Sequence, residues 1–386
     1  MSISHHRVAM TGRNPHEAHR AATPLELLYD LVFVVAFGVA GGEFAHAVAA
    51  GHWRTGLVAF LVCLFAVVWA WINFVWFASA YDTDDWAYRL LTMVQMCGVS
   101  LLALGIPAIF GSFEHGGVLH NEVMVSGYVI MRVALVAQFL RAAARDGARR
   151  SGLLIYVAGF GLAQVGWVAL IIVHVTLPSA IFYALPLYAL EILGPWAAER
   201  HNGLPWHAHH IAERYSLLTI ISLGEGVVGT IGALSVLVAR GWNLDAVVLL
   251  TAGMAVTFGM WWCYFLLPMG EVLHVRRHKS VVFSHLHMPI FWSIAAVGAG
   301  LHVVAYLLDR EHAGFVVRIS DVGTVLAVAV PVMIYLSLIF VVYGYLLRTS
   351  SRHDVFHGCL FVLVLLVAAA GVGIVALGAP VMVASS

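Results

Sequence analysis

The feature that most constrains this chain is a run of apolar windows, each long enough to cross a bilayer. A helix needs about twenty mostly apolar residues to traverse the hydrocarbon core. Eleven such windows follow one another, at 25–49, 56–77, 90–110, 123–139, 152–175, 179–197, 215–238, 246–267, 288–308, 322–347 and 355–377. Lipid offers no hydrogen bonds to an open backbone, so each window folds as a helix that satisfies its own N–H and C=O groups. The fold class expected is all-α, a polytopic transmembrane bundle of about eleven helices whose first partner is the lipid bilayer. Pro178, Pro186 and Pro195 set the sixth window apart and predict a kinked or re-entrant segment there.

Composition closes the alternatives. Only 10% of residues are charged and 62% are hydrophobic, whereas soluble domains carry about 25% charged residues. No water-soluble core of this size would hide so much apolar surface. Formal net charge is zero with histidine neutral, so no basic field recruits nucleic acid, and none is expected as a partner. Cys63, Cys97, Cys263 and Cys359 stand singly in apolar runs, without zinc or redox spacing. No cofactor and no metal are expected.

Residues 1–22 lack the apolar stretch of a secretory signal and read as a cytoplasmic tail. With the N-terminus inside, fourteen lysines and arginines fall on its side of the membrane. Four fall on the other, at Arg54, Arg240, Arg310 and Arg318. That is the excess expected of cytoplasmic loops.

Two gapless alignments suggest an internal duplication. An offset of 186 pairs Tyr29 with Tyr215, Leu31 with Leu217 and Gly38 with Gly224; an offset of 190 pairs Trp71 with Trp261 and Phe74 with Tyr264. Six helices then separate equivalent positions, which gives a parallel repeat about an axis along the membrane normal. The expected organisation is a tail (1–22), a first repeat (23–200) and a second (201–386), with the first and seventh helices at the seam.

Charged residues inside the windows are costly and mark functional candidates. Glu26 and Asp30 are four apart, on one face of the first helix. Thr23 followed by Pro24 and Glu26 has the form of an N-cap with a capping-box partner, which explains Glu26 without any function. Asp30, a turn deeper, is not covered by that explanation. Glu225, between Gly224 and Gly226, lies about 15 Å along the seventh window, near mid-membrane. It is the strongest candidate, against the plain alternative of a neutral carboxyl bonded to a neighbouring helix.

Arg132, within the fourth window, calls for a carboxylate, and Glu43 and Glu191 are the ion-pair candidates; a purely architectural pair is the favoured explanation. Asp82, Asp84 and Asp85 could hold a hard cation, but an Asp85–Arg89 pair and a cap by Asp82 account for them. His207, His209, His210 and Glu213 could bind zinc as two histidines and a carboxylate, but no HExxH is present, and solvated loop histidines are the favoured explanation. His285, His287 and His302 could relay protons to Glu225. Trp69, Trp71, Trp76, Trp261 and Trp262 suggest interfacial belts or a packed interior.

Three strings, TPLELLYDLVFVVAF, WAWINFVWFASAYDTDDWAYRLLTMVQMCG and HIAERYSLLTIISLGEGVVGT, resemble in the same order the low-temperature-requirement A (LtrA) family of bacterial membrane proteins. The resemblance covers most of the chain. It implies a multi-pass protein of the bacterial plasma membrane and an association with growth in the cold, with no established reaction. The positions it carries over are Glu26, Tyr29, Asp30, Asp82, Asp85, Glu213, Arg214, Gly224 and Glu225; Leu28 stands where many relatives have Phe. A looser similarity, at the level of fold analogy, is to potassium channels built from six-helix repeats.

The leading functional expectation is a transporter or channel for a cation, proton or small solute. Its path would be lined by Glu26, Tyr29, Asp30, Glu213 and Glu225, and the protein would act alone or as a homo-oligomer. The alternatives are a membrane-embedded enzyme acting on a lipid or lipid-linked substrate, or a structural protein of cold adaptation. HExxH, GxSxG and P-loop motifs are all missing, which argues against the enzyme.

Overall fold

The computed structural model describes residues 8–17, 20–239 and 241–347. Their secondary structure is helical: α1 (Pro24–Ala49), α2 (Trp53–Tyr81), α3 (Trp86–His115), α4 (Glu122–Ala143), α5 (Arg150–Val173), α6 (Leu177–Asn202), α7 (Ala208–Val238), α8 (Leu244–Phe265), α9 (Met269–Val275), α10 (Ser280–Leu308) and α11 (Asp321–Leu347). Ten segments among the described residues are long and apolar enough to cross a membrane, α8 with α9 forming one of them. They match the first ten windows of the sequence. The eleventh window, 355–377, lies outside the described residues, with Arg348, Arg352 and Cys359.

Two local expectations change. The sixth segment is one continuous helix of 26 residues with Pro186 and Pro195 inside it, not a re-entrant loop. Proline in a membrane helix forfeits a single backbone bond that neighbouring groups can replace, and Pro178 sits in the first turn, where its missing N–H costs nothing. The aspartates before α3 also take other roles than expected, the cap being Asp85 rather than Asp82 and the Arg89 partner Asp84 rather than Asp85. Asp85, in extended backbone, is the N-cap and accepts from the Tyr88 N–H; Asp84 (φ 46°) is the partner of Arg89, at 2.7 Å.

The chain divides into two compact units. One comprises the described residues of Met1–Ala36 and Phe65–Arg214, the other those of Phe37–Leu64 and Tyr215–Ser386. In the first, α3 with α4, α4 with α5 and α5 with α6 pack as hairpins; in the second, α11 packs on α10 and α8. Within the second unit the later part of α1 follows α10 turn by turn. Phe37 meets Phe291, Gly41 meets the Ala295 carbonyl, and Ala45 shares a core cluster with Ala299. Each pair is 254 residues apart, which is the mark of two parallel helices packed through their i, i+4 rows.

Outward positions are apolar, as a lipid-facing surface requires: Leu104, Leu162, Val165 and Ile172 are among the most exposed residues. Trp261 and Trp262 share that exposure, whereas Trp69 and Trp71 are buried.

Candidate functional site

The first site grows from the start of α1. Thr23 and Glu26 form a reciprocal capping box: the Thr23 N–H donates to Glu26 Oε2 at 2.7 Å and the Glu26 N–H to Thr23 Oγ1 at 3.3 Å. This fixes the carboxylate, which also lies 3.1 Å from His210 Nε2 and 3.1 Å from Arg214 Nη1. One turn on, Asp30 accepts from Arg214 Nε at 3.0 Å, from Arg214 Nη2 at 2.6 Å and from the Trp71 indole at 2.6 Å. Glu26, Asp30, His210 and Arg214 are fully buried. Glu26–His210 and Asp30–Arg214 share a separation of 184 residues, so a pair of acids at i, i+4 on α1 meets a pair of bases at i, i+4 on α7. Arg214 thus holds Asp30 in the planar, bidentate geometry that suits guanidinium and forms an ion pair with Glu26.

Tyr29 belongs to a neutral network. Its hydroxyl donates to Gln95 at 3.2 Å, Gln95 donates to Gln138 at 2.8 Å, and the Tyr29 ring stacks on Phe74. Glu213 is occupied by the Ala22 N–H at 3.1 Å.

The segment before α1 is fastened to the same unit. Val8 N–H donates to Asp85, Arg141 bridges Asp85 and the Val8 carbonyl, and Gly12 N–H donates to Asp146. Arg20, buried, lies 3.4 Å from Asp82 and 3.6 Å from Glu26. Burial, aided by the Glu26 carboxylate and opposed by Arg20, pushes the Asp82 carboxyl up to about 6. A carboxyl raised above its unfolded value favours the fold only while protonated. Its contribution, on the order of 3 kcal/mol, is therefore full below the ordinary aspartate value of 3.8 and lost as the pH climbs through about 6. The melting temperature of Asp82→Asn minus that of wild type should accordingly rise between pH 4 and 7 and level off above; a flat difference would contradict the assignment.

The second site is a single buried pair. Arg132 Nη2 donates to Glu191 Oε2 and to the Tyr128 hydroxyl, both at 2.7 Å. Gln164 Nε2 and Trp69 Nε1 donate to the same carboxylate at 2.9 and 3.3 Å. The guanidinium lies over the rings of Tyr128 and Phe160, at 4.9 and 4.5 Å. Glu191, not Glu43, is the acid that Arg132 meets; Glu43 belongs to the other compact unit.

The third site is in the second unit and is of another kind. Among the described residues no hydrogen bond or ion pair reaches the half-buried Glu225 carboxylate. Its neighbours are glycines. A Cβ placed on Gly38 of α1 would stand 3.0 and 3.2 Å from the two carboxylate oxygens, and one on Gly298 of α10 would stand 2.9 Å from Glu225 Cβ. Three residues earlier on α7, the Ser222 hydroxyl is fully buried without a partner, an arrangement that costs about 1–3 kcal/mol. Thr219, Thr230 and Ser235, on the same helix, each bond a backbone carbonyl. Across from this stripe, the Tyr264 hydroxyl lies 3.0 Å from His287 Nε2, with the side chains of Thr219 and Ser216 beside it. His287 Nδ1 is 2.8 Å from the Phe283 carbonyl; a carbonyl only accepts, so the proton is on Nδ1 and Nε2 accepts from Tyr264. His302, on α10, has its ring against Gly232. No group of three or more His, Cys, Asp or Glu suited to a metal ion occurs among the described residues.

Reading the residues one at a time misses the partners of Asp30, which are Arg214 and Trp71. The usable signal is the matched i, i+4 spacing of Glu26/Asp30 and His210/Arg214.

Ten apolar helical segments, with charge gathered into internal networks, define a multi-pass membrane protein. The family model described as bacterial low temperature requirement A protein (LtrA) matches residues 21–385, and the chain belongs to that family. An uncharacterized protein of Rhizobium meliloti (strain 1021) is 27% identical over 297 residues, covering 71% of this chain and 67% of that protein. No solved structure matches.

Proposed function

We propose that this protein moves a proton, cation or small solute across the bacterial plasma membrane, and that Glu225 is the carboxylate that does it. The observation that carries the reading is the contrast among the intramembrane acids. Glu26, Asp30 and Glu191 are each met by arginine and by further donors, so they have little free capacity to bind a passing ion. Glu225 has no such partner among the described residues. An acid held within a membrane without a counter-charge is neutralised by what it binds, and a site that binds without locking is what transport needs.

On this reading Glu26 and Asp30 hold the start of α1 to the start of α7 within the first compact unit, through His210 and Arg214. The N-terminus is cytoplasmic, as the arginine and lysine bias has it. The two-repeat plan, 23–200 and 201–386, also belongs to the proposal.

The test is ion and proton flux in proteoliposomes, wild type beside Glu225→Gln. The expected result is a variant that inserts and melts like wild type with flux reduced at least tenfold. Unchanged flux in a folded variant, or no flux from wild type to any ion tried, would sink the proposal. Gly38→Val, which drives a side chain into the space of the carboxylate, should lower flux in the same assay with the acid intact.

A further inference from the structure

We infer that the ion handled at Glu225 is the proton, and that it travels along the polar stripe of α7 through Ser222 and Thr219 to Tyr264 and His287. This rests on the reading of Glu225 as the working acid and names its substrate. All the groups lie within the second compact unit.

Thr219, Ser222 and Glu225 occupy successive i, i+3 positions on one helix. Such neighbours have Cβ atoms about 5–6 Å apart, a gap that one water molecule bridges. At the other end of the line Tyr264 is joined to His287 at 3.0 Å, with Thr219 and Ser216 beside its hydroxyl. Ser222 is the link between the halves. Serine in a helix ordinarily returns its proton to a carbonyl three or four residues back, as Ser235 does here. Ser222, fully buried, does not. A hydroxyl left with its donor and both lone pairs unused is free to take a proton on one side and give one up on the other.

The His287 ring is enclosed by Phe283, Tyr215, Tyr264 and Phe291, with centroids at 4.1, 4.9, 5.8 and 5.9 Å. The transfer balances. Protonated Glu225 releases one proton and becomes a carboxylate. Each hydroxyl along the line, and each bridging water, accepts one proton as it passes one on and is left unchanged. His287 gains one at Nε2 and becomes imidazolium. A metal cation, by contrast, needs several oxygen ligands, whereas the carboxylate is flanked by glycine backbone. Within the second compact unit the other titratable groups on the helices packed around Glu225 are Glu43 and His46 of α1, Asp245 and Cys263 of α8, and His285, His302 and Tyr306 of α10.

The experiment is proteoliposome flux read in two channels, an internal pH dye and a sodium- or potassium-gradient assay, for wild type, Glu225→Gln, Ser222→Ala and His287→Gln. Ser222→Ala removes an unpartnered hydroxyl, so a structural role predicts equal or higher thermal stability and unchanged flux. The inference expects equal or higher stability with proton flux cut at least tenfold, Ser222→Thr restoring much of it, and His287→Gln reproducing the loss. Wild-type proton flux that survives Ser222→Ala but not Glu225→Gln would overturn the route and leave the transport reading standing. Glu225-dependent sodium or potassium flux without proton flux would overturn the proton and leave that reading standing too. Flux of every kind indifferent to Glu225→Gln would end both.

Discussion

Arg214→Met should cost about 3–5 kcal/mol of stability, enough to remove most of the folded protein from a detergent extract. The size follows from what stays behind. Asp30 and Glu26 are fully buried, and Arg214 is the cation that both face, at 2.6 and 3.1 Å. Without it Asp30 is left a buried carboxylate with the Trp71 indole as its donor, where neither water nor lipid solvates it, and Glu26 is left to Arg20 at 3.6 Å. Arg214→Lys should recover only part of the loss, because a single ammonium cannot reproduce the fork that spans both oxygens of Asp30. The triple replacement Glu26→Gln, Asp30→Asn, Arg214→Met should be more stable than Arg214→Met alone, since a buried charge network replaced as a whole is far less costly than one broken at a single member. Thermal unfolding followed by size-exclusion chromatography ranks the four proteins; Arg214→Met melting with wild type would refute the account of this network.

Gly127→Leu should be equally damaging for an unrelated reason. Where α3 and α4 cross, a Cβ on Gly127 would fall 2.3 Å from the Leu102 nitrogen and 2.5 Å from the Gly98 carbonyl oxygen. Both obstacles are backbone, so no rotamer change relieves them and the helices must separate. Membrane helices associate chiefly by such close packing, and loss of most inserted, monodisperse protein is the expected outcome. Gly111→Ala is the control. It lies on α3, and nothing stands within 4 Å of its added Cβ. That variant should match wild type or gain up to about 1 kcal/mol, the usual helical preference for alanine over glycine. Equal behaviour of the two variants would show that the crossing is looser than these distances say.

What could be seen in advance divides along a physical line. The ten segments were legible because hydropathy over twenty residues is a local property, and so was the capping box at Thr23 and Glu26, a pattern three residues long. Helix ends were less so. The seventh window begins at Tyr215, yet α7 begins at Ala208, because the helical stretch AHHIAER is too polar to register as a span. That hid Arg214 at the edge of a loop and made Asp30 seem unattended. The contrast that now singles out Glu225 was not legible either. Glu26, Asp30, Glu191 and Glu225 look alike as single letters, and only contacts between residues 59 to 184 positions apart separate the satisfied acids from the unsatisfied one. The roles of the aspartates at 82–85 are hidden for the same reason: the cap is Asp85, three positions from the expected Asp82, and the Arg89 partner is Asp84, in a left-handed turn.

The separation of 184 residues between Asp30 and Arg214 also has a meaning in time. A ribosome adding roughly 5–20 residues per second needs roughly 10–40 s after making Asp30 to make the arginine that neutralises it. For that interval Arg20, which lies 3.6 Å from Glu26 in the folded protein, is the cation at hand for the opening turns of the first helix, and Asp30 has not yet met its own. Biogenesis of this chain therefore includes a waiting period, during which α1 is held by the insertion machinery, by protons or by lipid head groups, until α7 emerges and relieves them.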